Sequence, residues 1–217
     1  MEDLARDPAS RRRFLARLGG AGAAGSFALF LAACGTKKTT ITPGGSDSKT
    51  GAGTGTDRYG KGDLGIAIYA LTLEYIETDF YAQVVGSGKL TGSALDLAKH
   101  FGDQEAQHVA ALEAYVTQAG GTVPAKPKAT FTLTSPAVIL QQAVTFENLG
   151  ASAYLGQADR IVDKQLLAAA LTIHSVEARH AAALSVAAGL DPTPDGAFAV
   201  PQTATNVIQA IQPNLVS

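Results

Sequence analysis

Two short stretches, EAQH at residues 105–108 and EARH at residues 177–180, each place a glutamate and a histidine three residues apart. On a helix such residues lie on one face about a turn apart, so each pair presents a carboxylate and an imidazole in one direction. Those donors suit iron or manganese and offer nothing soft. A single pair of this kind is ordinary on a solvated helix face. Here there are two, and each follows another glutamate at nearly the same distance: Glu74 precedes Glu105 by 31 residues and Glu147 precedes Glu177 by 30. The chain after Cys34 has only six glutamates and four histidines, so chance is a poor source for this repeat.

Four helical stripes must carry these residues. Apolar positions recur at three and four residue spacing through Leu64, Leu71 and Val85, through Leu97, Phe101 and Leu112, through Leu140 and Val144, and through Leu166, Ile173 and Leu184. Each stripe holds one glutamate in its middle where a leucine is expected. Ser135 followed by Pro136 reads as the start of the third helix, and glycines close the first, second and fourth stripes. The joints inside each helix pair are short, which favours antiparallel neighbours. Residues 121–134 form a longer link, reaching about 46 Å when extended, against about 40 Å for a helix of about 26 residues. The expected fold is all-α: an antiparallel-pair four-helix bundle with one long crossover over residues 62–190.

In that bundle Glu74, Glu105, Glu147, Glu177, His108 and His180 fall at one interior level, the arrangement of di-iron and di-manganese carboxylate bundles. Four ionised carboxylates buried together would each cost several kcal/mol without partners. Two divalent cations balance their charge and leave the imidazoles neutral.

The pattern resembles the ferritin-like superfamily across residues 62–190, and LEYIETDFY at residues 73–81 looks like the first-helix signature of its ferritin-like lipoprotein and desiccation-related branch. The resemblance implies that Glu105 and Glu177 bridge two metals, that Glu74 and Glu147 bind terminally, and that His108 and His180 each cap one metal. These six are then the candidate metal and catalytic residues, with two Fe, or alternatively two Mn, as cofactor. Two Glu-x-x-His pairs are closer to bacterioferritin, rubrerythrin and manganese catalase than to animal-type ferritin. No C-x-x-C pairs follow, so the rubredoxin-like electron donor of rubrerythrin is missing.

Glu77 lies one turn after Glu74, and its counterpart in the second half is Gly150. It reads either as a rim glutamate or as a fifth, labile metal carboxylate. Tyr81 and Tyr154 follow Glu74 and Glu147 by seven residues; core packing and a supporting role next to the ligands are both open to them. His100 and His174 fall well off the ligand face and read as structural or solvent-facing, with His174 the better placed to support a ligand.

The first 34 residues read as an export signal. SRRRFL at residues 10–15 resembles the twin-arginine motif, residues 18–33 form a weakly apolar Gly- and Ala-rich stretch, and LAAC at residues 31–34 resembles a lipobox in which Cys34 is lipidated. An uncleaved membrane helix is the competing reading, but 16 residues with four glycines are short for a span. Residues 35–61 are Gly-, Thr- and Ser-rich with little to bury, a flexible tether reaching on the order of 30 Å. Residues 191–217, with four prolines, are expected to pack across the bundle.

The net charge of −2 provides no basic footprint for nucleic acid, and a lone cysteine excludes a disulfide framework. The expected protein is exported, lipid-anchored to the outer face of the bacterial membrane, and reacts through two metals with O2 or H2O2. A non-enzymatic iron-binding or stress-protective protein is the alternative. The sequence leaves oligomeric state open, a homodimer included.

Overall fold

Apolar stripes at helical spacing, broken by glycine and proline, become four long helices in the computed structural model, which describes residues 55–216. They are α1 (Gly62–Gly86), α2 (Gly92–Gln118), α3 (Pro136–Leu155) and α4 (Lys164–Ala187). Two begin on side-chain caps: Ser135 Oγ accepts from Val138 N, with Pro136 at the first helical position, and Asp163 accepts from Gln165 N and Leu166 N. Such caps satisfy amide groups that the helix itself cannot. Behind α2 and α4 the chain turns at Gly120 and Gly189, with φ of 76° and 71°, a conformation glycine adopts without steric cost. The expected export signal, Cys34 and most of the expected tether lie outside the described residues.

The most extensive contacts are α1 with α2 and α3 with α4; α1 also meets α3, and α2 meets α4. Tyr81 on α1 reaches Glu147 on α3, while Tyr154 on α3 reaches Glu74 on α1. As the number rises along α1 its neighbour's number falls along α3, so these helices are antiparallel. The crossover of residues 119–135 therefore runs the length of the bundle between two parallel helices, α2 and α3. Gln83 Nε2 donates to its Ala129 carbonyl at 3.0 Å.

The apolar core is split. One cluster gathers Ile66, Leu71, Leu112, Val116, Leu166 and Ile173; another gathers Phe80, Val84, Phe101, Ile139, Phe146 and Leu184. On α2, α3 and α4 the central glutamate falls in sequence between residues of these two sets, and on α1 Glu74 sits near the boundary between them.

The C-terminal segment adds a fifth helix, α5 (Ala204–Ile211), whose Ala204, Val207, Ile208 and Ile211 bury against Tyr69, Leu73, Ile76 and Ala153 of α1 and α3. Beyond it, Val216 N donates to the Lys128 carbonyl and Thr130 N to that of Asn214. The tail thus pairs with the crossover. Residues 55–61, expected as the end of a flexible tether, instead fold onto the domain. Thr56 is buried, Asp57–Tyr59 form a 3-10 turn, and the Tyr59 ring packs at 5.7 Å on Tyr69. Arg160 also reaches Thr56, at 3.5 Å. Among the described residues no helix is long and apolar enough to cross a membrane.

Candidate metal centre

Each long helix delivers its central glutamate to the interior: Glu74, Glu105 and Glu177 are 0% exposed and Glu147 is 1% exposed. His108 and His180, one turn after Glu105 and Glu177, turn Nδ1 toward them. His108 Nδ1 lies 2.9 Å from Glu105 Oε2, 3.1 Å from Glu177 Oε1 and 3.3 Å from Glu74 Oε2. His180 Nδ1 lies 2.9 Å from Glu105 Oε1 and 3.1 Å from Glu147 Oε2. All six sequence-expected ligands come together.

They form two overlapping donor sets. Glu74, Glu105, His108 and Glu177 offer ligand atoms within 4.8 Å of one another, and so do Glu105, Glu147, Glu177 and His180. Glu105 and Glu177 belong to both. The donor chemistry is oxygen and imidazole only, which fits divalent iron or manganese.

The polar atoms do not satisfy one another without a cation. Glu177 Oε2 and Glu77 Oε2 are buried without a hydrogen bond, and Glu177 Oε1 and Glu105 Oε1 each meet only an imidazole nitrogen, a state that costs the carboxylates much of their lost hydration. Burial, and then the neighbouring Glu177 charge, pushes Glu74 well above the usual carboxylate range. Burial likewise raises Glu177 and Glu147. Burial would also raise Glu105, but hydrogen bonds from His108 and His180 outweigh it and hold that carboxyl at about 2. Burial opposes charge on the imidazoles, yet hydrogen bonds donated to Glu105, Glu177 and Glu74 push His108 up to about 12. Bonds donated to Glu105 and Glu147 push His180 up to about 9.

The tyrosines are bound to ligands across the bundle. Tyr154 Oη donates to Glu74 Oε1 at 2.5 Å, and Tyr81 Oη donates to Glu147 Oε1. Each half fixes the outer oxygen of the other half's glutamate. Gly102 makes this packing possible, since a Cβ there would stand 2.9 Å from Tyr81 Cβ.

Glu77 is buried at 5% exposure but belongs to neither donor set. A Cβ on Gly150 would stand 2.9 Å from both Glu77 Oε1 and Glu177 Oε2, so the missing side chain of one half makes room for the extra carboxylate of the other. Burial and the Glu177 charge push Glu77 well above its ordinary range. His174 is apart from the ligands: its Nδ1 lies 2.9 Å from the Ala151 carbonyl, linking α4 to α3. His100 is exposed.

Sequence reasoning missed Gln104, whose Oε1 lies 2.5 Å from His180 Nε2. It also missed Phe101 as a ring stacked on His180, at 4.0 Å and 23°. Only the position of Gln104 next to a ligand glutamate hinted at the first.

No curated protein matches the chain. Among solved structures, a conserved hypothetical protein from Mycobacterium tuberculosis shares the fold, with a TM-score of 0.54, 20% identity, and coverage of 58% of this chain and 90% of that one. Residues 62–190 match the family model described as a ferritin-like domain, and the chain, more than half of which lies in that match, belongs to the ferritin-like domain family.

Proposed function

We propose that the protein holds two iron ions, or alternatively two manganese ions, and uses them in redox chemistry with O2 or H2O2. The observation that carries this reading is the pair of overlapping donor sets that share Glu105 and Glu177. In this reading Glu105 and Glu177, which belong to both donor sets, would help to hold both ions, Glu74 and Glu147 would serve one each, and His108 and His180 would offer Nδ1. The bound pair would supply one-electron redox steps between the +2 and +3 states.

The chain's own residues prepare the place. Tyr81 and Tyr154 hold the outer oxygens of Glu147 and Glu74 by hydrogen bonds and so fix their orientation before an ion arrives, as outer partners of metal ligands do. Apolar clusters on either side exclude water. The His108 side chain, 12% exposed against 3% for His180, marks the side from which a small oxidant would enter. Glu77, buried beside Glu177, is a fifth carboxylate available to a more oxidised pair.

Metal analysis of protein from its native host is the first test, with two irons or two manganese per chain expected. Stopped-flow mixing of the Fe(II)-loaded protein with O2 and with H2O2 follows. Oxidation no faster than that of free Fe(II) with either oxidant would overturn the redox reading and favour a protein that only holds metal. Export and lipid attachment at Cys34 belong to the same proposal and rest on sequence alone; a Cys34→Ala chain is expected to leave the membrane fraction.

A further inference from the structure

The two halves repeat the ligands but not what lies behind them. His180 is held on its far side: Nε2 is 2.5 Å from Gln104 Oε1, and its ring stacks on Phe101 at 4.0 Å. In the other half, the positions equivalent to Gln104 and Phe101 are Val176 and Ile173, which have neither an amide nor an aromatic ring to offer. Every hydrogen bond and ion pair described for His108 runs through Nδ1.

The Gln104 side chain is engaged on both sides: its Nε2 lies 3.2 Å from His100 Nε2 and its Oε1 faces His180 Nε2. An amide oxygen can only accept, so His180 Nε2 donates to it, and Nδ1, which points at Glu105 and Glu147, is the nitrogen that gives up its proton to a cation.

We infer that Gln104 is a positioning residue that makes the two metal positions inequivalent: the one at His180 binds a divalent cation first and more tightly, and the one at His108 binds second and exchanges more readily. The inference rests on the two-metal reading above. His180 meets an incoming cation already held on its far side by Gln104 and Phe101, whereas the more exposed His108 is held only through Nδ1, on the side of the carboxylates. Outer-shell partners of metal-bound histidine are worth roughly 10- to 100-fold in affinity.

The test is an anaerobic Co(II) titration of the metal-free full chain, followed by visible absorption and by proton NMR of the Co(II) form. Two resolved steps are expected, the first about tenfold tighter or more, together with one paramagnetically shifted ring N–H in slow exchange with water. Gln104→Leu is expected to weaken the first step until the two merge and to move that N–H into fast exchange. Gln104→Glu, whose carboxylate accepts the same proton, is expected to restore both. Two equal steps in the unmodified chain, or a Gln104→Leu chain that keeps both the tight step and the slow N–H, would overturn the role of Gln104 while leaving the two-metal reading in place. No Co(II) binding by the unmodified chain would remove that reading itself, and this inference with it.

Discussion

Glu105 and Glu177 contribute to both donor sets, whereas Glu74 and Glu147 contribute to one each. Glu105→Gln or Glu177→Gln is therefore expected to abolish binding of both ions, and Glu74→Gln or Glu147→Gln to remove one, as read by metal per chain after dialysis. Glu77→Gln is expected to keep two metals and to alter only the rate of oxidation; loss of both metals would instead make Glu77 a primary ligand. Gly150 supports this arrangement by its emptiness. Gly150→Ala would set a methyl 2.9 Å from oxygens of both Glu77 and Glu177, closer than van der Waals contact allows. The expected result is a folded protein with metal affinity reduced about tenfold or more, measured by competition with a chelator. At this scale the sequence displayed the ligands and left a supporting role open to Tyr81 and Tyr154, but it was silent about Gln104. The ligands sit on apolar stripes, where a carboxylate is conspicuous. Gln104 lies one residue off the stripe, about 100° around the helix, where a polar residue draws no notice.

The helices were legible for a local reason: spacing and end signals are properties of neighbouring residues. Ser135 and Asp163 illustrate it, each a cap beside the helix it starts. Replacing either by alanine is expected to cost about 1 kcal/mol of domain stability, read as a shift in the urea midpoint. What was not legible depends on partners far along the chain. Tyr59 packs on Tyr69, and the turn around it reads as linker in the sequence. The α5 helix has eight residues, too short to persist alone, and exists because α1 and α3 expose a matching apolar strip. Ending the chain after Thr203 would uncover Tyr69, Leu73 and Ile76, against which α5 packs. It would also open the small cavity that Val207 and Ile211 close over Glu77 and Gly150. The truncated domain is expected to lose several kcal/mol in urea denaturation, by the usual worth of a few fully buried aliphatic side chains.

For the molecule as a whole, the buried charges set how stability follows pH. The raised carboxyls, Glu74, Glu77, Glu147 and Glu177, favour the folded state while protonated; that contribution is present below their ordinary value of 4.5 and is lost as pH rises toward their folded values. His108 and His180 act in the same sense, fully stabilising below 6.5 and losing this as pH climbs toward about 12 and about 9. Glu105 is opposed, its contribution present above 4.5 and lost as pH falls toward about 2. The metal-free domain is thus expected to melt at a lower temperature at about pH 8 than at about pH 5. Added Mn(II) is expected to raise the melting temperature most at the higher pH, where the ligands give up protons most easily. A melting temperature for the metal-free domain that rises over this interval would contradict the buried carboxylate cluster. The tyrosines that reach across from each helix pair have a consequence for how the site can be built. Since Tyr81 serves Glu147 and Tyr154 serves Glu74, neither hairpin can be rehearsed in isolation. An excised α1–α2 fragment would carry three ligands yet lack the hydroxyl that orders its own Glu74. Competence for metal arises only when the hairpins dock, so a half-assembled chain has no finished cradle in which to trap a stray ion.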